Sequence, residues 1–305
     1  MNEIVFSGNT LGLSAEETFR QIEYSMPGRH FHDSLELYFL LEGERYFFIE
    51  QDTWHIHEGM AVLINRGQIH KTSTVKDKPS HRRFLLQLEA PTLDRFFSLP
   101  DFPSIQDFGE HYWGTAEFSS SDWQLALELI RRLKTELNHT GQNDSSMALL
   151  FGMQLVSLFV RTRRQQEISS RKNPLPNHRV RTGMYQKVHE IALYLQNNSS
   201  SSCSLDDIAA HFYISRPYLT RIFKSVTGFT VIEYLTVCRV RKAQHLLEDT
   251  QLSVTEIAAR SGFGNITHFE KVFKQLTGLT PRQHRNQRNR NMASPKKARK
   301  KSQHS

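Results

Sequence analysis

At 305 residues, 38% of them apolar, the chain has room for two packed domains. Its formal charge of +8 is unevenly placed: residues 171–305 carry 23 Lys and Arg against 8 Asp and Glu, while residues 1–170 carry 16 against 23, so one half suits a polyanion and the other a different task. No stretch approaches ~18 uninterrupted apolar residues and the N-terminus lacks a basic stretch followed by an apolar run, which argues against a membrane span and a secretory leader and for a cytoplasmic protein.

From about Glu23 to Leu88 the pattern is strand-like. Leu35 to Leu41, Arg45 to Ile49, Trp54 to His57, Met60 to Asn65 and Phe84 to Leu88 are short β-rich runs. Turns at Glu42-Gly43, Glu50 to Thr53, Glu58-Gly59 and Arg66-Gly67 separate them, which implies an antiparallel sandwich or small barrel. His30 and His32 point the same way in a strand, because side chains alternate. With Glu36 and His70 they could hold a divalent transition metal. Equally, these groups and Tyr38 could line a pocket for a small molecule, or serve only the fold. Tyr38, Tyr46, Phe48 and Trp54 could stack on a sugar ring, although core packing is the default for such residues. His55 and His57 share a strand face and read as surface residues. The spacing His30, His32, Glu36, Gly43 resembles the first cupin motif. Gly59 to His70 resembles the second, with Asn65 in place of its usual proline and Thr74 in place of its usual asparagine. This resemblance implies a cupin-like β-barrel over about residues 20–90.

Residues 121–165 change to helical spacing. Trp123, Leu125, Leu127, Ile130, Leu133 and Leu137 mark one helix, with Ser121-Asp122 as its cap. Met147 to Val160 mark a second, very apolar one. Such a hairpin needs a cover, which the β domain or a second subunit could supply. Polar, basic, proline-bearing residues 165–182 read as a linker. Residues 286–305, with Lys296, Lys297, Arg299, Lys300 and Lys301, read as a disordered basic tail. Cys203 and Cys238 lack metal-type spacing and read as buried or incidental thiols.

The C-terminal third contains one unit twice. Leu205 to Ala210, Ser215 to Lys224 and Thr227 to Thr230 correspond to Val254 to Ala259, Asn265 to Lys274 and Thr277 to Thr280. In the first copy Ser204 and Asp207 form a variant capping box, and Leu205, Ile208 and Ala209 make one apolar face. Ser215 caps the next helix, with Pro217 in its first turn. Leu219, Ile222 and Phe223 form the buried stripe, leaving Arg216, Pro217, Thr220, Arg221 and Lys224 outward. In the second copy Gly262 sits in the turn and Asn265 caps. Phe269, Val272 and Phe273 face inward, while Ile266, Thr267, Glu270, Lys271 and Lys274 face out. A helix, a tight turn and a helix with a basic outer face make a helix-turn-helix. Val231 to Leu247 forms one helical pattern of roughly 25 Å, carrying Arg239, Arg241 and Lys242. That spacer suits two units reading successive major grooves about 34 Å apart. Two repeats are too few for a stable α-solenoid.

Residues 183–285 resemble the DNA-binding domain of the AraC/XylS family of bacterial regulators. Ile257 to Phe263, Phe269 to Lys274 and Thr277 to Arg285 carry the match. The resemblance implies recognition helices starting at Arg216 and Ile266. Base-facing positions would be Arg216, Pro217, Thr220 and Arg221 in one, and Ile266, Thr267, Glu270 and Lys271 in the other. Lys224 and Lys274 would meet phosphates. Tyr213 stands where a small turn residue is usual, so distortion of that turn is expected. The fold class is then α+β in two domains. Residues 1–164 form a cupin-like sensing and dimerisation domain, 165–182 a linker, 183–285 a double helix-turn-helix, and 286–305 the tail. The expected function is a sequence-specific transcription regulator. It would act as an activator that meets RNA polymerase, and as a homodimer. A small-molecule effector, with a carbohydrate as one candidate, would bind His30, His32, Glu36, Tyr38 and His70 in the barrel. No cofactor is required, although a divalent metal could sit on His30, His32, Glu36 and His70. The rival is a cupin metalloenzyme, a dioxygenase or isomerase fused to a basic domain.

Overall fold

The computed structural model describes residues 2–22, 34–89, 91–93, 112–139, 146–172 and 178–286. The chain divides into two compact units, residues 1–189 with 226–228, and residues 190–225 with 229–305. The candidate ligands His30 and His32 and the tail from 287 onward lie outside the described residues.

Among the described residues, eight antiparallel strands build the first unit: β1 (Asn2–Thr10), β2 (Leu13–Arg20), β3 (Ser34–Ile49), β4 (Asp52–His57), β5 (Met60–Ile64), β6 (His70–Thr74), β7 (His81–Glu89) and β8 (Gly114–Glu117). One path runs β1-β2-β7-β3-β5-β8, while β4 and β6 both pair with the second half of β3. Strand β3 thus belongs to two sheets. The expected turn at Glu42-Gly43 is instead an irregularity inside this 16-residue strand, with a register shift between Leu40 and Glu42. Gly43 has φ +89°, and a Cβ there would lie 2.4 Å from the Ser80 carbonyl oxygen. Only glycine fits, so the chain bends from one sheet to the other without breaking its ladder. The hairpin β1–β2 and strand β8 extend the strands beyond the barrel expected over about residues 20–90, within the expected domain 1–164. Their mixed polar composition hides them, because β1 and β8 end the strand path and need present only one apolar face.

Alternation along β3 separates two cores. Leu35, Leu37 and Phe39 join Ala61, Leu63, Phe84, Leu86 and Leu88 on one side. Against this side pack helices α1 (Ser120–His139) and α2 (Ser146–Lys172), through Leu129, Leu133, Leu155, Val156 and Phe159. The β domain therefore covers the apolar hairpin. Ser119, not Ser121, caps α1 by accepting the Asp122 N–H. Tyr38, Leu40, Phe47, Ile49, Ile56, Met60, Val62 and Ile64 form the second core on the opposite face of the strand.

Residues 165–182 depart from the expected linker. Helix α2 continues to Lys172. Residues 178–180 add to the free edge of β4: the His55 N–H donates to the His178 carbonyl at 2.8 Å and the Val180 N–H to the Thr53 carbonyl at 2.7 Å. Arg179 stacks over Trp54, and Asp52, buried, meets Arg181 at 2.6 Å and His189 at 3.1 Å. This one segment thus pairs with the edge of β4 and brings two arginines to a buried carboxylate.

His81 begins β7 almost fully buried. Burial first, and the Arg45 charge second, push its pKa from 6.5 down to about 4. The unfolded chain therefore binds a proton that the folded one refuses. Stability is present above pH 6.5 and lost as pH falls towards 4. We expect unfolding free energy to drop by about 1–2 kcal/mol between pH 7 and pH 5 from this group. Denaturant titrations at both pH values should show a flatter dependence in His81→Gln; an identical slope would refute the assignment.

The second unit is helical. It holds the end of α3 (Gly183–Asn197), then α4 (Leu205–His211), most of α5 (Arg216–Thr227), and α6 (Val231–Asp249), α7 (Val254–Arg260) and α8 (Ile266–Thr277).

Candidate nucleic-acid interface and ligand pocket

Helices α4 and α5 make the first helix-turn-helix, and α7 and α8 the second. Both entry helices start with full capping boxes, Ser204 with Asp207 and Ser253 with Glu256. Each box satisfies two backbone donors that a helix start leaves open. The turns also match. The Tyr213 and Ile214 amides donate to the Ala210 and Ala209 carbonyls; the Gly262 and Phe263 amides donate to the Ala259 and Ala258 carbonyls. Tyr213 takes φ +54° where Gly262 takes +88°. The expected distortion is absent: the tyrosine adopts the glycine's left-handed conformation, with its side chain almost wholly in solvent.

On α5, Leu219, Ile222 and Phe223 are buried, and Phe223 meets Tyr234 of α6 edge-on. Arg216, Pro217, Arg221 and Lys224 are exposed and Thr220 half-exposed. Together they line one open concavity. Arg216 pairs with Asp206 at 3.1 Å, whereas the Arg221 guanidinium lies over the Tyr218 ring, 5.3 Å from its centroid. On α8, Phe269 and Phe273 are buried and Thr267, Glu270, Lys271 and Lys274 are exposed. Ile266 departs from expectation, being half-buried against the cluster of Val240, Leu247, Phe269 and Phe273. Its hydrophobic side chain gains more from that cluster than from solvent. Val272 is likewise half-buried, not fully inside.

Helix α6 spans 19 residues, about 28 Å at 1.5 Å per residue. Arg239 on it is a structural clamp, because its Nε donates to the Ser199 carbonyl at 2.8 Å and its Nη2 to that of Ser201 at 3.1 Å. Lys242 bonds the Ser200 hydroxyl. Two of the three basic groups read as decoration of the spacer thus fasten the chain segment before α4.

In the first unit Glu36 and Tyr38 share the β3 face turned away from the helices. Glu36 Oε1 lies 3.9 Å from His70 Nε2, and Glu36 Oε2 accepts from Gln87 at 3.2 Å. The structure thus brings together Glu36, Tyr38 and His70 of the expected pocket. Gln87 and Arg83 on β7 join them with Ser14, Glu16 and Thr18 on β2. These were missed, although period-two alternation around Phe84 and Leu86 marks Arg83 and Gln87 as facing the other way. Tyr38 Oη is buried without a hydrogen-bond partner among the described residues. Burial pushes its pKa up, against the pull of Arg83, Arg45 and Arg20, so it remains a neutral donor. His70 Nδ1 lies 3.0 Å from the Gln68 carbonyl, so donation there would leave the Nε2 lone pair towards Glu36. Of the suggested metal set, Glu36 and His70 thus present one oxygen and one nitrogen 3.9 Å apart; His30 and His32 are outside the described residues.

A sensing barrel joined to a paired helix-turn-helix defines a ligand-responsive DNA-binding regulator, and similarity to known proteins agrees. Residues 17–156 match the AraC-like ligand binding domain and residues 208–287 a helix-turn-helix domain. The chain belongs to the AraC family of transcription regulators. It is similar to the melibiose operon regulatory protein of Escherichia coli (strain K12), with 23% identity over 279 residues covering 90% of each chain. It is also similar to the HTH-type transcriptional activator RhaS of Enterobacter sp. (strain 638), with 33% identity over 164 residues, 52% of this chain and 54% of that one. Among solved structures it resembles the C-terminal domain of AraT, a response regulator from Geobacillus stearothermophilus. There the identity is 33%, the coverage 35% of this chain and 89% of that one, and the TM-score 0.33. Among the described residues no helix is long and apolar enough to cross a membrane.

Proposed function

We propose that this regulator is a cytoplasmic homodimer that activates transcription through RNA polymerase when a polyhydroxylated small molecule, a sugar in type, occupies the barrel. Helices α5 and α8 would enter successive major grooves. Arg216, Pro217, Thr220 and Arg221 would face bases from the first; Thr267, Glu270 and Lys271, with Ile266 at the rim, from the second. Lys224 and Lys274 would meet phosphates. The observation that carries the reading is the duplicated unit with solvent-facing, chemically different outer faces. Unlike faces read unlike half-sites, so one chain would bind an asymmetric site.

For the effector, Glu36, Gln87 and Tyr38 offer acceptors and donors to vicinal hydroxyls, and the Tyr38 hydroxyl gains the partner it lacks. The names of the two relatives, a melibiose operon regulator and an activator, support a sugar and activation. The reading requires no catalytic step, since differential affinity of the effector for two states suffices. It requires no cofactor. A divalent ion in the barrel would be held by His30, His32, Glu36 and His70 and would anchor a ligand oxygen as a Lewis acid.

A thermal-shift screen of neutral mono- and disaccharides, melibiose included, tests this on the whole chain. At about 100 times Kd a bound sugar stabilises by about 2.7 kcal/mol. Glu36→Gln should abolish most of that gain while leaving DNA affinity without sugar unchanged. A screen in which no sugar shifts the wild type, or an equal shift in the variant, would place the effector site or its chemistry elsewhere.

A further inference from the structure

A second group of metal-competent side chains lies outside the barrel interior. His57 ends β4, Glu117 ends β8, and His178 sits on the segment that pairs with β4. Their ligating atoms all lie within 4.8 Å of one another. Glu117 presents one oxygen to each imidazole, Oε1 at 3.9 Å from His57 Nε2 and Oε2 at 3.1 Å from His178 Nε2. A tetrahedral ion with ligands at about 2.0–2.1 Å sets its donors roughly 3.3 Å apart, so the three ligating atoms, all within 4.8 Å of one another, need close by no more than about 1.5 Å to hold one.

The donors are also aimed. His57 Nδ1 lies 2.8 Å from the Glu58 carbonyl oxygen. A proton donated there leaves the lone pair on Nε2, the atom turned to Glu117, which is how ligating histidines are held. Each backbone is fixed independently. β8 pairs with β5, bringing Glu117 opposite Met60, and the Phe118 N–H donates to the Gly59 carbonyl in the turn after His57. The His178 carbonyl accepts from His55. The side chains are 23–44% exposed, open enough for an ion to enter and for water to complete its coordination.

We propose that His57, Glu117 and His178 bind one borderline divalent transition ion, zinc(II) in type, which pins the segment leaving the first unit to β4 and β8. Two imidazoles with one carboxylate select such an ion over calcium or magnesium, which take oxygen ligands. The three ligands come from three distant chain segments, and residue 190, where the second unit starts, lies 12 positions after His178. Ion occupancy would thus set how firmly the chain is held just before the DNA-binding unit. This site is separate from the barrel residues of the effector reading and stands or falls without it.

The test uses the full-length, tag-free chain, stripped with chelator and titrated with cobalt(II), whose visible absorption reports its ligands. One equivalent should bind and be displaced by zinc. His57→Ala and His178→Ala should each weaken binding at least ~10-fold, the smaller loss seen even when only a ligand's supporting contact is removed. Glu117→Gln should weaken it similarly, and one equivalent should still bind in His30→Ala/His32→Ala, which lacks the barrel histidines. Wild-type affinity in His57→Ala and His178→Ala, loss only in His30→Ala/His32→Ala, or no stoichiometric binding by the wild type would each overturn the site. Hydrogen exchange reads the pinning separately. Zinc should slow the His55 and Val180 amides in the wild type and not in His57→Ala. Equal exchange with and without zinc would overturn the pinning.

Discussion

Replacing Arg221 with alanine should cost about 1–3 kcal/mol of discrimination at one base pair, roughly a 5- to 150-fold change in relative affinity. The expectation rests on how α5 presents its two arginines. Arg216 is engaged with Asp206 at 3.1 Å, both side chains more than half exposed. Such a surface pair is weak and exchanges readily for a phosphate. Arg221 stands one and a half turns further on, and the described residues give it no carboxylate. It rests on the Tyr218 face instead. Stacking holds the planar fork in few orientations, so little freedom is lost when it meets the O6 and N7 edge of a guanine. Competition binding of wild type and Arg221→Ala against single-base operator variants at fixed salt would read this. Lys224→Ala is the comparator: it should weaken all sequences alike and flatten the salt dependence by about one unit of slope. Arg221→Ala behaving like Lys224→Ala would make Arg221 a phosphate contact.

Helices α5 and α8 were legible in the sequence because two signals coincide there. The buried stripe Leu219, Ile222, Phe223 repeats at helical spacing, and the copy at Phe269, Val272, Phe273 repeats it again at a fixed offset. A surface follows by elimination once the stripe is known. Ile266 shows the limit of that elimination. It stands three residues before Phe269 and seven before Phe273, on the same helical face, and packs with their cluster. In the first unit the strands from Leu35 onward were readable from alternation, while the continuity of β3 through Gly43 was not. A glycine between apolar runs looks the same whether the chain reverses or only bends. The group of His57, Glu117 and His178 was unreadable for a different reason. The residues are 60 or more positions apart, and only the pairing of 178–180 with β4 and of β8 with β5 brings them together. Likewise Asp52 carries no sign in the sequence that Arg179, Arg181 and His189 will surround it.

Gly262→Ala should destabilise the second unit by about 2–5 kcal/mol, in contrast to the opposite change in the first copy. Two costs add at Gly262. Its φ of +88° is disfavoured for any residue with a Cβ, by about 1–2 kcal/mol. That Cβ would also lie 2.7 Å from the Ser199 carbonyl oxygen and 2.9 Å from both Ser200 Cα and Arg239 Nε. Relief requires moving backbone, and the Ser199 carbonyl is the one Arg239 holds at 2.8 Å, so overpacking adds roughly 1–3 kcal/mol. Tyr213 meets the same dihedral with its side chain in solvent. Tyr213→Gly relieves strain of about 1–2 kcal/mol and loses part of it to a more flexible unfolded chain, leaving a gain of up to about 1 kcal/mol. Tryptophan fluorescence would miss both effects, because Trp54, Trp113 and Trp123 all belong to the first unit. Helical circular dichroism, with amide exchange resolved on α7 and α8, is the measurement. A Gly262→Ala chain that unfolds with wild-type exchange in α7 and α8 would mean that the Ser199–Arg239 clamp yields freely. The two copies would then differ only in their outward faces, not in what holds their turns.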